Sequence, residues 1–200
     1  MLSGKELSRK IVHILVGIST VILIYFDILS PLSIFLLIIA GIMISFLSKR
    51  MRLPVFSYFL DRFEREDLRY TFPGKGVIFL FVGVLLVIQL FDKNIALASI
   101  MVLTMGDSIS HLIGKQFGQI KNILSADGKK LLEGTLAGTF TGFLGAWIFV
   151  PFPEAFLGSL TAMIAEVIQI DFNKSSLDDN MVVPLVAGTM MFLVSRYLPF

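Results

Sequence analysis

Long apolar segments separated by short polar connections form the main pattern of the chain. A membrane-spanning helix needs about 20 mostly apolar residues, and seven segments approach or reach that length. They cover residues 7–26, 31–48, 76–91, 94–112, 134–150, 154–170 and 182–198. The pattern predicts an all-α fold, in which a single domain over residues 1–200 forms a polytopic membrane helix bundle with about seven transmembrane helices.

The connection over residues 52–70 has a helical pattern of its own. Apolar residues recur there at the spacing of one helix face, and charged residues lie opposite them. The apolar set is Val55, Phe56, Phe59, Leu60 and Phe63, and the charged set is Asp61, Arg62, Arg65 and Glu66. This pattern predicts an interfacial amphipathic helix along the membrane surface. Such a helix could anchor the connection to headgroups, or it could gate the entry of a lipid.

The composition supports a membrane protein and narrows its chemistry. Hydrophobic residues make up 56% of the chain and charged residues only 16%, which is not the balance of a soluble domain. The formal net charge of +2 provides no basic excess, so no nucleic-acid partner is expected. Because the chain contains no cysteine, disulfides, thiol nucleophiles and cysteine metal sites are excluded.

Lysine and arginine are distributed unevenly between the two sides of the predicted bundle. If the N-terminus is cytoplasmic, all of the 17 except Lys93 and Arg196 lie on the inner side, as the positive-inside rule requires. The first segment lacks a small-residue cleavage site and is predicted to remain as a helix. Ionisable residues then fall at the inner ends of their segments, namely His13, Asp107, His111, Glu133 and Glu166. A site on the cytoplasmic side is therefore predicted.

The stretch "GDSISHLIGKQFG", residues 106–118, places polar residues where a membrane helix should be apolar. On a helix, Thr104, Asp107, His111 and Gly114 share one stripe. An ionisable residue in a membrane helix faces protein, water or an ion, because burying charge in lipid costs at least a few kcal/mol. The structural interpretation is a hydrogen-bonded pair of Asp107 and His111 that joins two helices. The functional interpretation is a polar site.

A second stretch, "DGKKLLEGTLAGTFTG", residues 127–142, places two lysines before Glu133 at the start of a segment. Lys129 and Lys130 suit phosphate oxygens, and carboxylates such as Asp107 and Glu133 suit Mg²⁺, which often bridges substrate phosphates. The glycines have a simpler explanation, which we favour. They are Gly134, Gly138 and Gly142, and they form a small-xxx-small stripe of the kind that packs helices together.

Three further polar groups lie on the predicted inner side. The last inner connection contributes Glu166, Asp179 and Asn180, which abut or enter apolar segments and are candidates for metal, sugar or base contacts. The first segment carries Arg9, Lys10 and His13 within one helical turn, where the two cations could also anchor headgroups. The turn "FPGKG", residues 72–76, presents Lys75 at the start of a segment, where it could hold an anionic group.

The order of the motifs "RKIVH", "GDSISHLIGKQFG", "KKLLEGTLAG" and "AEVIQID…DDNMVVPL" resembles the membrane-bound CTP-dependent lipid kinases, the group of dolichol, phytol and CTP-type diacylglycerol kinases. The resemblance covers most of the chain. It implies transfer of the γ-phosphoryl group of CTP to the hydroxyl of a membrane lipid alcohol, most simply a dolichol or polyprenol, with Mg²⁺ or another divalent cation as cofactor. Its implied partners are CTP, the lipid alcohol and the bilayer.

The resemblance also implies site residues. The catalytic set is Asp107, Lys130, Glu133 and Asp179, and the metal set is Asp107, Glu133, Glu166 and Asp179. The nucleotide-binding set is Lys75, Gly106, Gly114, Gly118, Lys129, Lys130, Gly134, Thr135 and Asn180, and Pro184 falls in the same late motif. Arg9, Lys10, His13 and His111 would line the same polar pocket. In the resulting hypothesis, Asp107 completes the metal sphere or accepts the alcohol proton, with His111 orienting it, and the carboxylates share one cavity.

Two other functions are weighed against the kinase. The CDP-lipid-forming cytidylyltransferases share CTP and a similar glycine, aspartate and lysine pattern, but typically end in a histidine- and glycine-rich segment with paired aspartates. This chain has neither, since its two histidines are His13 and His111. A small-solute transporter is disfavoured because the outer side of the predicted bundle is nearly bare, with no ionisable residue inside its spans away from their ends. Homo-oligomerisation stays open, since the glycine stripe could pack within one chain or between two.

Overall fold

The structure is a computed structural model, and it describes residues 3–51, 58, 60, 62–63, 71–125, 130–168, 171–172, 175–176 and 178–198. Most of the predicted interfacial helix therefore lies outside the described residues. Lys129, one of the two lysines proposed to bind phosphate, lies outside them as well.

The described part of the chain is helical apart from one short pair of strands. The helices are α1 Gly4–Tyr25, α2 Pro31–Arg50, α3 Lys75–Leu90, α4 Lys93–Met101, α5 Ser108–Phe117, α6 Leu132–Ala146, α7 Phe152–Ile168 and α8 Asp179–Tyr197. A π-helical segment, Val102–Asp107, joins α4 to α5 without a break. Strands β1 Asp171–Phe172 and β2 Ser175–Ser176 pair antiparallel between α7 and α8.

Local sequence explains where several helices begin. The Ser3 hydroxyl accepts a hydrogen bond from the backbone N–H of Glu6 at the start of α1, and the Ser30 hydroxyl accepts one from Ser33 in the first turn of α2. Asp178 does the same for Asn180 at the start of α8. These residues satisfy N–H groups that have no partner within the helix. Gly74 precedes α3 with φ at 76°, a left-handed conformation that favours glycine.

Four helices are long and apolar enough to cross a membrane. They are Gly4–Tyr25, Pro31–Arg50, the continuous helix Lys93–Phe117, and Asp179–Tyr197. The three remaining helices α3, α6 and α7 are shorter, with 16, 15 and 17 residues. The prediction of an all-helical membrane protein is confirmed, and four of the seven predicted crossings meet the full length.

The helix Lys93–Phe117 is the centre of the bundle. In its most apolar window 78% of the residues are buried, against 22% for α1 and 17% for α2. The outer helices instead expose large apolar side chains such as Leu15 and Phe46, as expected of surfaces that face lipid. The central helix therefore carries the residues that neighbouring helices can reach from several sides.

Glycines allow α6 to approach the central helix closely. A Cβ atom added at Gly138 would lie 2.7 Å from the Ser110 Cβ and 2.8 Å from the Gly106 carbonyl oxygen. One added at Gly134 would lie 2.5 Å from the Ser110 carbonyl oxygen and 3.0 Å from the Gly114 Cα. The packing interpretation of the glycine stripe is therefore confirmed within one chain.

The π-helical segment lies where α1 contacts the central helix. A Cβ atom at Gly17 of α1 would lie 2.2 Å from the Thr104 hydroxyl oxygen, so only glycine permits this approach. Short π-helical segments inside α-helices occur frequently at functional sites. This one ends at Asp107, the aspartate that the motif analysis singled out.

Candidate functional site

Asp107 forms a buried ion pair with Lys10 of α1. The Lys10 Nζ donates to Asp107 Oδ2 at 2.6 Å, and the Asp107 residue is 7% exposed. The Lys10 side chain is 11% exposed, so both charges are largely removed from water. Such a pair survives burial only because each charge compensates the other.

Glu166 and Lys130 form a second ion pair. Lys130 precedes α6, and its Nζ donates to Glu166 Oε1 on α7. Glu166 is 2% exposed. The backbone N–H of Asn122 donates to the Lys130 carbonyl at 3.0 Å, and this contact holds the lysine's backbone in place. From the sequence, Lys130 was predicted to bind phosphate and Glu166 to bind metal. In the structure the two side chains pair with each other.

The two ion pairs belong to one group of ionisable side chains. Asp107 interacts electrostatically with Lys130 and with His13 of α1 as well as with Lys10. Asp179, the first residue of α8, interacts with Lys130 and with Asp107. We call this group the polar cluster; its members are Lys10, His13, Asp107, Lys130, Glu166 and Asp179. The cluster thus combines two ammonium groups, one imidazole and three carboxyl groups.

Burial and neighbouring charges shift the pKa of Lys130 in opposite directions. This residue lies outside the helices. Burial by itself lowers the pKa of the ammonium group, and the Glu166 carboxylate, followed by Asp179, opposes it. The carboxylates prevail, and the pKa of Lys130 is raised above its ordinary value. Lys130 therefore keeps its positive charge at neutral pH.

Buried polar atoms around Asp107 lack hydrogen-bond partners among the described residues. They are His13 Nε2, Ser108 Oγ, His111 Nε2 and Glu166 Oε2. Two belong to the polar cluster, and the other two are on the central helix, on the residue that follows Asp107 and one turn from it. Buried polar atoms are normally hydrogen-bonded, and leaving one unpaired costs about 1–3 kcal/mol. These atoms mark positions where a polar ligand would be stabilised.

Glu133 does not join the polar cluster. Its Oε1 accepts the backbone N–H groups of Gln119 at 2.9 Å and Ile120 at 3.1 Å. The carboxylate thus fastens the turn after α5 to the start of α6. The expectation that Glu133 shares a cavity with Asp107 finds no support in these contacts, because backbone amides at the turn already take both carboxylate oxygens.

His111 does not pair with Asp107. Its Nε2 lies 3.5 Å from Glu6 Oε1, and Lys115 Nζ donates to that same oxygen at 2.5 Å. Asp107 pairs with Lys10 instead, since a charged ammonium is a stronger donor than a neutral imidazole. His111 therefore contacts the N-terminal end of α1, and its interaction with Asp107 is electrostatic without a hydrogen bond.

Lys75 and Asn180 meet beside the cluster, at the start of α3 and α8. Lys75 Nζ lies 3.5 Å from Asp178 Oδ2. The Asn180 amide donates to Asp178 Oδ1 at 2.9 Å and to the Gly76 carbonyl at 3.3 Å. Pro184 has no N–H for the Asn180 carbonyl, which faces Gly83 of α3. Lys75 and Asn180 were predicted from the sequence as site residues, whereas Asp178, which joins them, was not.

The remaining predicted site residues have mainly structural contacts. Gly106, Gly114 and Gly134 lie in the contact between α6 and the central helix, and Gly118 packs against Leu131. The Thr135 hydroxyl accepts from the Asn122 amide at 3.0 Å. Arg9 interacts electrostatically with His13 and His111. Asn122 was not predicted, because a lone asparagine in a loop belongs to no recognisable motif.

The positions of the side chains do not by themselves form the predicted metal site. Within the described ranges, no group of three or more histidine, aspartate or glutamate side chains is arranged to hold a metal ion. The carboxylates of Asp107 and Glu166 accept hydrogen bonds from lysine ammonium groups instead.

Sequence comparison identifies relatives along most of the chain. No family model matches it, and no solved structure matches it. An uncharacterized protein of Methanocaldococcus jannaschii is 30% identical over 188 residues, which cover 92% of this chain and 91% of that protein. CTP-dependent diacylglycerol kinase 1 of Schizosaccharomyces pombe is 24% identical over 72% of each chain.

A third relative carries a different lipid in its name. The "Probable phytol kinase, chloroplastic" of Triticum aestivum is 27% identical over 66% of this chain and 46% of that protein. Two of these relatives are thus named as lipid kinases, in agreement with the motifs. Along most of its length the chain belongs to one family with these proteins, a family that includes the CTP-dependent lipid kinases.

Proposed function

We propose that this protein transfers the γ-phosphoryl group of CTP to the hydroxyl of a membrane lipid alcohol, and that the polar cluster is its active site. The observation that carries the proposal is the cluster itself. Lysines and carboxylates from α1, the central helix, the loop before α6, α7 and α8 meet inside an otherwise apolar bundle. Phosphoryl transfer requires mainly positioning and neutralisation of charge.

Lys10 and Lys130 are the proposed phosphate ligands. Each ammonium group now donates to a carboxylate, and each can turn to a phosphate oxygen when CTP binds. Lys75 lies at the edge of the cluster, beside Asp178, and would hold the nucleotide from that side. CTP as the donor is supported by the names of the relatives.

The reaction is a single displacement. The alcohol oxygen forms a bond to the γ-phosphorus, and the bond from that phosphorus to the β–γ bridging oxygen breaks, so CDP leaves. The alcohol's proton moves toward the negative charge of Asp107. Lys10, which is already hydrogen-bonded to Asp107, would stay close to both the carboxylate and the transferred group.

The oxygen donors of the cluster fit Mg²⁺. This ion prefers carboxylates and is commonly held by one or two of them together with substrate phosphates, so a three-carboxylate cage is not required. Glu166 Oε2 has no hydrogen-bond partner among the described residues, and Asp179 interacts with the same lysine as Glu166. We assign Glu166 and Asp179 as the Mg²⁺ ligands. When bound, the ion would neutralise negative charge on the phosphates.

We propose a dolichol- or polyprenol-type alcohol as the acceptor, with phytol and diacylglycerol as the classes that the relatives' names supply. A groove of about 280 Å³ between α7 and α8 would take part of a lipid tail. Its lining residues are Thr161, Leu185, Val186, Thr189, Met190 and Leu193. The groove lies on the two helices that carry Glu166 and Asp179, so a tail in it would place the hydroxyl near the cluster.

We further propose that all seven helical segments cross the bilayer, with the N-terminus and the active site on the cytoplasmic side. Seven crossings place the termini on opposite sides. The distribution of lysine and arginine supports this arrangement, and so does the location of the polar cluster at one end of the bundle.

Labelled CTP tests the reaction directly. Purified protein in detergent and lipid micelles is given polyprenol, phytol or diacylglycerol with CTP labelled at the γ or the α position. A kinase places the γ label, and not the α label, on the lipid. Transfer of the α label would instead identify a cytidylyltransferase, and comparison of the three lipids identifies the preferred alcohol.

A further inference from the structure

The inner half of α1 runs antiparallel to the central helix in a register that two contacts define. At one level Gly17 lies against Thr104. At another level Glu6 pairs with Lys115. The two steps contain the same number of residues, because Glu6 precedes Gly17 by as many residues as Lys115 follows Thr104, although the step on the central helix begins in the π-helical segment. Both helices therefore advance together from the first contact to the second.

This register places His13 opposite Ser108. Each is four residues from the Gly17–Thr104 contact, in the direction of Glu6 and Lys115. His13 Nε2 and Ser108 Oγ are both buried atoms without a hydrogen-bond partner among the described residues. Two unpaired polar atoms thus lie at the same level of one helix–helix contact, beside Asp107.

Ser108 differs from three other buried residues with a hydroxyl group. Ser99, Thr104 and Thr139 each donate to the carbonyl four residues earlier in their own helix. Ser108 is fully buried on the same central helix, yet its hydroxyl makes no such bond. A serine in a helix has this partner within reach, so the open hydroxyl is available to a ligand.

We infer that His13 and Ser108 together bind the hydroxyl group of the acceptor lipid, an inference that rests on the proposed kinase function. An alcohol is the group that matches both, because its O–H can donate to His13 Nε2 while its oxygen accepts from the Ser108 hydroxyl. Asp107 interacts electrostatically with His13. The alcohol would therefore be held near that carboxylate, whose negative charge would favour transfer of the alcohol's proton to His13 Nε2.

The test measures steady-state kinetics of the purified enzyme with γ-labelled CTP and its preferred alcohol among polyprenol, phytol and diacylglycerol. Ser108→Ala and His13→Ala should each lower kcat/KM for the alcohol about tenfold, the effect of one lost hydrogen bond of about 1.4 kcal/mol. The KM for CTP should stay within about twofold. The kcat/KM of the double variant for the alcohol should be close to that of the less active single variant, because both residues contact one hydroxyl.

A stability measurement separates binding from structure. Ser108→Ala removes an unpaired buried hydroxyl, so its Tm should equal or exceed that of the wild type. The matched control is Ser99→Ala, which removes a satisfied buried hydroxyl elsewhere on the central helix; it should keep full activity and lose some stability.

Unchanged alcohol kinetics in Ser108→Ala, or an effect confined to the KM for CTP, would overturn the inference. Wild-type protein that transfers no γ label would instead refute the proposed function, and the inference with it.

Discussion

Asp107 is the residue on which the contacts of the polar cluster converge. It is reached by Lys10 from α1 and interacts with Lys130 from the loop before α6. A carboxylate in this position can be tolerated in an apolar bundle only while cations neutralise it. In the proposed reaction the same negative charge draws the proton from the attacking alcohol, so its structural and chemical roles cannot be separated by position alone.

Asp107→Asn tests the charge while it keeps the shape of the side chain. We expect kcat to fall by at least about a hundredfold, the usual scale for removing a group that assists proton transfer. The measurement is transfer of γ label from CTP to the lipid alcohol. Asp92→Asn is the matched control, since Asp92 is exposed at the other end of the central helix and makes no side-chain cap there. Wild-type rates in the Asp107 variant would contradict the assignment.

The Lys130–Glu166 pair should contribute to the stability of the protein as well as to its activity. Removal of one partner from a buried ion pair leaves an uncompensated charge, so Lys130→Met should lower the free energy of unfolding by about 3 kcal/mol. The double variant Lys130→Met with Glu166→Gln should recover part of that loss, because Glu166 no longer carries an uncompensated charge while Asp179 still lacks its interaction with Lys130. Denaturant titration in micelles gives the free energies.

The same double variant should stay inactive, because it lacks both a proposed phosphate ligand and a proposed metal ligand. Recovery of stability without activity is the outcome that a functional pair predicts. If the double variant were active at the wild-type rate, the pair would have a purely structural role.

The members of the polar cluster could be predicted from the sequence, but their pairing could not. Polar residues stand out inside apolar segments, which is why Lys10, Asp107 and Glu166 were found. The pairs join residues 97 and 36 positions apart, and no pattern within one helix specifies which helices are neighbours. Ser108 was missed as a site residue because an uncharged serine in a helix is usually satisfied by its own backbone.

At the scale of elements, the contact between α1 and the central helix positions the site. Gly17 permits the close approach to Thr104, and the Glu6–Lys115 pair holds the inner end. Lys93 donates to the Asp27 carboxylate at 2.6 Å and so ties the other end. Lys10 and His13 lie between these ties, so the placement of α1 determines whether they reach Asp107.

Reversing the charges of Glu6 and Lys115 tests this role of α1. Glu6→Lys or Lys115→Glu alone sets like charges against each other and should lower kcat/KM about two- to fivefold, since exposed ion pairs contribute at most about 1 kcal/mol. The double reversal should restore the rate because it restores the attraction. Assays at low ionic strength make the effect largest. A double reversal as slow as either single variant would indicate that Glu6 acts by something other than this ion pair.

The existence of the helices could be predicted well, because each apolar segment matches one helix in the described part of the chain. For example, α2 spans Pro31–Arg50 where the pattern indicated 31–48. The π-helical segment Val102–Asp107 could not be predicted. This segment lies where Gly17 of α1 packs on Thr104. The apolar pattern of one helix does not predict contacts with another helix, so it could not predict the π-helical segment.

At the scale of the whole molecule, the arrangement separates a polar end from an apolar remainder. The polar cluster, the Lys75–Asp178 pair and the Glu6–Lys115 pair all lie toward the predicted inner ends of their helices. The outward surfaces of α1 and α2 are apolar. A water-soluble nucleotide and a membrane-soluble alcohol can meet only where such a polar end opens beside the hydrocarbon, which is what a lipid kinase requires.

The proposed orientation can be tested without background labelling because the chain contains no cysteine. Lys121→Cys, in the exposed turn before α6, should react with a membrane-impermeant maleimide only after cells are permeabilised. Asp92→Cys, at the start of α4, should react in intact cells, because the orientation places that turn outside. Ala162→Cys, which is fully buried in α7, is the control and should react in neither case. The reverse pattern for the two exposed positions would place the polar cluster outside, away from cytoplasmic CTP, and the kinase mechanism would then require a different nucleotide source.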